Sequence, residues 1–201
     1  MKKITTLLLL LVLLPIKAQE RPIKVVTEEQ PNRLAFFALN ENERDFDVRL
    51  TISGTNFRQS KAKPRLIRLP GASKVLLTTI YLLRGKQPAY AYDLFVSDSI
   101  SDKAMVKESV PIKISPKKQI IVYVPKKCMG CDSIIMPLES SKYSYQSYDL
   151  DANPQIKEQL QRAFGSDSPI DSMQTPIVNM GGVLHTDIRT FDQLLELLIK
   201  D

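Results

Sequence analysis

The chain holds only two cysteines, and they stand three residues apart in Cys128-Met129-Gly130-Cys131. A bridge between them closes almost no loop, so it supplies little of the chain-entropy stabilisation that a disulfide gives when it joins distant residues. A chain with this cysteine usage folds on apolar cores, not on the spread-out staples of small exported domains. Pro125-Lys126-Lys127 leads to the pair from Gln119 to Val124, a β-branched run of the kind found in strands buried on both faces. Redox chemistry explains such a pair better than stapling does.

At 201 residues there is length for one large domain or two small ones. With 43% apolar and 25% charged residues the composition is that of a globular protein, which excludes a disordered chain. The first eighteen residues stand apart. Lys2 and Lys3 lead into an apolar run from Leu7 to Leu14, followed by Pro15-Ile16-Lys17-Ala18. This is the order of a signal peptide over residues 1–18, cut after Ala18, with a core too short to span a bilayer. An uncleaved anchor is the alternative. The expected address is secreted or periplasmic, with no stable membrane insertion after cleavage. Cleavage removes Lys2, Lys3 and Lys17 and no acid, which lowers the net charge from +6 to +3. The remaining cations are scattered among acids, with Lys117-Lys118 and Lys126-Lys127 as local exceptions. No basic stripe with interleaved aromatics appears, so nucleic acid is not an expected partner.

Residues 20–112 read as all-β. Apolar runs at Ile23 to Val26, Leu34 to Leu39, Phe46 to Ile52, Arg65 to Leu69, Lys74 to Tyr81 and Ala89 to Val96 alternate with turn clusters such as Asn40-Glu41-Asn42-Glu43. In Phe46 to Ile52 every second residue is apolar, the signature of a strand with one buried face. This spacing predicts a sandwich of about seven strands. The segment resembles the small immunoglobulin-like modules at the front of secreted bacterial proteins. Residues 113–118, with Pro116 and three lysines, read as a linker.

From residue 119 to 201 the pattern becomes β-α-β-α-β-β-α. Gln119 to Val124 is followed by a helix from Met129 to about Ser140, and then by a strand from Tyr143 to Leu150. Asn153-Pro154 starts the second helix as N-cap and first helical residue, and Gly165 ends it. Thr175-Pro176 opens the strand Ile177 to Met180, and Gly181-Gly182 turns the chain into Val183 to Ile188. Thr190 and Gln193 form a capping box for the last helix. The expected fold is thus an all-β sandwich followed by an α/β half with a four-stranded mixed sheet.

A Cys-x-x-Cys after a buried strand, with Thr175-Pro176 before the third strand, resembles the glutaredoxin type of thioredoxin fold over residues 119–201. At a helix N-terminus beside Lys126 and Lys127, the Cys128 thiol is expected below its ordinary pKa of about 8.5, in the range ~4–7. Cys131, a turn deeper, is the expected resolving thiol. The resemblance further implies that Pro176 is cis beside the cysteines, and that Thr175 and Pro176 offer backbone hydrogen bonds to a substrate. The substrate-binding candidates are therefore Thr175, Pro176, Lys126 and Lys127.

Glutaredoxins carry a proline-aromatic pair where this chain has Met129-Gly130. Their glycine pair before the last helix is replaced by His185-Thr186-Asp187, because Gly181-Gly182 falls in the hairpin turn. Glutathione specificity therefore does not carry over. The implied function is an exported thiol–disulfide oxidoreductase acting on protein thiols or disulfides, with no cofactor. Electron flow in either direction uses the same residues. The alternative is a non-catalytic secreted binding module. In it the immunoglobulin-like part docks a partner and the cysteines form a structural disulfide, or the cysteines hold a soft ion such as Cu(I) with Met129 and Met136. Zinc would need two further ligands, and the single His185 falls in a predicted strand, so no metal site is assigned.

Overall fold

Alternation builds the front of the molecule. The computed structural model describes residues 20–165 and 168–200, so the signal peptide read over residues 1–18 lies outside the described residues. One sheet runs in the order β1 (Lys24–Gln30), β2 (Arg33–Asn40), β6 (Ser73–Leu82), β4 (Phe57–Arg58), with β9 (Ser109–Pro111) also paired to β6. The other runs β7 (Ala89–Ser97), β3 (Phe46–Thr55), β5 (Ile67–Leu69), β8 (Met105–Val106). Phe46, Val48, Leu50 and Ile52 of β3 meet Leu34, Phe36 and Ala38 of β2 and Val75, Leu77 and Ile80 of β6 in one apolar cluster between the sheets.

The rear carries a third sheet in the order β11 (Gln146–Asp149), β10 (Ile120–Val124), β12 (Ile177–Met180), β13 (Val183–His185). Strands β10 and β11 are parallel, whereas β12 runs antiparallel to both β10 and β13. Helices α1 (Asp132–Ser140) and α3 (Phe191–Ile199) share one cluster with Ile120, Val122, Val178 and Met180. Helix α2 (Pro154–Phe164) belongs to a second cluster, of Leu160 with Leu150, Ile170 and Ile177.

These elements correct the fold expected from sequence, an all-β sandwich followed by an α/β thioredoxin fold. The described residues are mostly β, at 40% strand against 18% helix, in three sheets with three α-helices. Those helices are short, at 9, 11 and 9 residues. The helix expected from Met129 begins at Asp132, and the strand expected from Tyr143 begins at Gln146. No described peptide bond is cis, so Pro176 is trans, contrary to what the resemblance implied.

Packing also ignores the change in sequence pattern. The cluster that fills the rear sheet takes in Ala72 and Ile112 from the front. Residues 113–118, read as a linker, hold two anchors. Ile114 is 3% exposed and bridges to Tyr143. The Lys113 ammonium donates to the carbonyls of Leu138, Glu139 and Ser141 at the end of α1, where a cation complements the helix dipole. Tyr143 in turn donates its phenol proton to Glu43 Oε1 across 2.8 Å, joining rear to front.

Candidate active site

Strand β10 delivers the chain to a tight turn in which Cys128 N–H donates to Pro125 O at 3.0 Å. The next N–H, of Met129, donates to Gln174 O at 3.0 Å, outside any helix. Met129 thus joins the loop before Thr175, and the helix begins after Cys131, its N-cap. The Ser133 hydroxyl lies within reach of two carbonyls, Gly130 O at 2.6 Å and Arg189 O at 2.8 Å. Having one proton, it can donate to only one of them at a time.

Cys128 and Cys131 are joined in a disulfide with Cα atoms 5.8 Å apart. Their surroundings differ sharply. Cys128 is partly exposed, whereas Cys131 is 6% exposed and faces the core. Cys131 itself occupies the helix N-cap, where Cys128 was expected, and Asp132 fills the first turn. That carboxylate shares the positive end of the α1 dipole with any sulfur anion formed there.

Two of the four substrate-binding candidates share a depression with the cysteine loop. Met129, Gly130, Gln174, Thr175, Pro176 and Arg189 line it. Pro176 is buried and Thr175 half-buried, with the Thr175 hydroxyl donating to Thr186 O at 3.1 Å. Lys126 and Lys127 do not line this depression. The Lys126 ammonium lies 3.8 Å from Asp151 Oδ2, so part of its field is offset by a carboxylate, and Lys127 is exposed.

Gln174, Ser133 and Arg189 were not singled out from the sequence. Arg189 had a legible signal, because it directly precedes the capping box: Gln193 Oε1 accepts from Arg189 N–H at 2.8 Å and thereby sets the chain that Ser133 reaches. Gln174 acts through its backbone carbonyl, which no side-chain pattern reveals.

Met129 and Met136, the thioethers considered for a soft ion, are 81% and 63% exposed. His185 lies on β13, and no group of three or more His, Cys, Asp or Glu side chains suited to a metal occurs among the described residues. The arrangement offers one accessible sulfur bonded to one sheltered sulfur, with backbone and small polar groups around them. In comparisons with known proteins, the chain matches no family model, no curated protein and no solved structure.

Proposed function

We propose that the chain is an exported thiol–disulfide oxidoreductase that exchanges disulfides with protein substrates through Cys128. The observation that carries this reading is the asymmetry of the pair: one sulfur is open to a partner and the other is sheltered at the helix start. A substrate thiolate attacks Cys128 Sγ, the bond to Cys131 breaks, and Cys131 leaves as a thiolate that takes up a proton. A second substrate thiolate attacks the substrate sulfur of the mixed disulfide and releases Cys128 as thiolate. The substrate loses two electrons and the cysteine pair gains two; run backwards, the same steps reduce a substrate disulfide.

Export rests on the leader-like residues 1–18 and on the fit of a disulfide to an oxidising compartment. No helix among the described residues is long and apolar enough to cross a membrane. Intact-mass measurement of protein from its native host should show residues 1–18 missing; retention of Met1 and the apolar run would defeat this part of the reading.

The second reading is a non-catalytic binding module with a structural disulfide. Its support is the offset of Lys126 by Asp151 and the place of Cys128 outside the helix cap. Insulin reduction separates the two. Turnover that needs Cys128, together with stable mixed disulfides on Cys131→Ala, supports exchange; no turnover and no trapped partner leave the module.

A further inference from the structure

Strand β7 pairs with β3 from Asp47 to Thr55, but β5 covers the opposite edge of β3 only from Phe46 to Val48. Beyond Val48 no strand among the described residues neighbours that edge. The Gln59 side-chain amide fills part of the place by donating to Ile52 O at 3.0 Å. Between this edge, the loop 59–66 and β6 lies a cavity of about 550 Å³, a size typical of small-molecule sites.

The floor and rim of this cavity differ in chemistry. Leu50, Ile52, Ile67 and Leu77, members of the cluster between the sheets, form the floor. Lys61, Lys63, Arg65 and Lys107 stand around it, and no aspartate or glutamate lines it. Lys61, Lys63 and Arg65 make no hydrogen bond or ion pair among the described residues. The Lys107 ammonium donates only to carbonyls, Leu76 O at 3.1 Å and Leu77 O at 2.8 Å. Burial lowers its pKa, as happens when a cation is desolvated without a counter-charge.

We propose that this cleft binds a single-chain anionic amphiphile, a fatty-acid carboxylate whose head meets the lysine rim and whose tail lies on the aliphatic floor. The cations supply charge-assisted donors for the head, and the floor supplies the apolar contact that a small inorganic anion could not use. No aromatic residue lines the cleft, as a single-stranded nucleic acid would want for stacking. An extended acidic peptide adding to β3 would need the Ile52 carbonyl, which already accepts from Gln59.

Dodecanoate titrated into the purified chain below its micelle concentration, followed by calorimetry, should bind saturably at one molecule per chain. Acetate, which has the head alone, and dodecyltrimethylammonium, which has the tail with the opposite charge, should not. Lys61→Glu with Lys63→Glu should weaken dodecanoate at least tenfold, and Lys107→Met should weaken it as well. The changes at Lys61 and Lys63, both exposed, should leave the melting temperature in place; if the charge reversal does not fold, Lys61→Gln with Lys63→Gln replaces it. A dodecanoate bearing a photoreactive tail should crosslink within residues 50–67 and 77–78. Binding that ignores the charge changes, equal uptake of the cationic amphiphile, preference for an acidic peptide, or crosslinks confined to other surfaces overturns the proposal. Exchange at Cys128 enters none of these readouts.

Discussion

The buried polar residues among those described, Asn40, Asp47 and Ser73, all lie in the two front sheets, and the rear sheet has none. In the front each one ties down a loop. The Asn40 amide donates to Arg44 O at 2.8 Å and Pro70 O at 2.9 Å, and its oxygen accepts from Asn42 N–H at 3.0 Å. Asp47 accepts from Arg68 Nε and from Ser101 N–H, both at 2.6 Å. Ser73 donates to Pro70 O at 2.6 Å. Around the cysteines the polar groups stay nearer the surface and the ties run through backbone carbonyls, as with Met129 N–H on Gln174 O. Satisfied buried polar groups fix one geometry and are expensive to disturb. The front is thus built to hold its loops, while the rear carries a disulfide with one sulfur within reach of solvent.

The sharpest way to break this contrast is to remove the accessible sulfur. Cys128→Ala should abolish thiol exchange and trap no partner, whereas Cys131→Ala should accumulate mixed disulfides, read by non-reducing electrophoresis. In the reduced protein iodoacetamide should alkylate Cys128 well before Cys131, since only the first is open to solvent. Equal alkylation rates would erase the asymmetry.

Next in size is Asp47→Ala. It leaves the Arg68 guanidinium and the Ser101 N–H without their partner, a change expected to cost about 3 kcal/mol in urea unfolding. Exchange at Cys128 should remain as it was; a parallel loss of exchange would show that the two regions are less independent than their polar groups imply.

Tyr143 tests the join. Burial first, and then the hydrogen bond to Glu43, push its phenol up to about 12. The folded chain therefore holds this proton more tightly than the unfolded chain, whose phenol titrates near ~10. The stabilisation is complete below about pH 10 and is lost as pH rises towards 12. Tyr143→Phe should cost about 1 kcal/mol at neutral pH. The gap between parent and variant in urea unfolding should then narrow from pH 10 upwards, and a constant gap would refute the assigned contact.

The smallest effect is expected at the capping box. Thr190 Oγ1 accepts from Gln193 N–H at 3.4 Å, a long bond on an exposed surface. Thr190→Ala should cost only about 0.5 kcal/mol of thermal stability, and a loss as large as that of Asp47→Ala would reverse the ranking of the two regions.

Local patterns were legible in the sequence where local forces decide. The alternation of Phe46, Val48, Leu50 and Ile52 gave the buried face of β3. Thr190 with Gln193 caps α3, and Asn153, Pro154 and Gly165 bracket α2. Long-range contacts overrode other patterns. Asp47, on the wet face by alternation, is 0% exposed because Arg68 and the chain at Ser101 cover it. Lys113 and Ile114 looked like a polar link until α1 and Tyr143 came to meet them. At the site the cysteine spacing was plain, but the contact of Met129 N–H with the Gln174 carbonyl joins loops that are distant in sequence. The cationic loop from Arg58 to Arg65 carries four cations without an acid. Its place over an aliphatic floor is visible only once β3 and β6 face each other.

The tie between Met129 and Gln174 also sets an order of events during biosynthesis. Lys113 precedes α1 in the chain, so it is present to grip the end of that helix as soon as the helix is made. Gln174 comes much later, after α2. On the export proposed above, both cysteines would emerge into the far compartment before the loop that Met129 meets. In that interval the pair would meet oxidants as part of a half-made surface, and its final shape would be imposed on sulfurs that had already had the chance to bond.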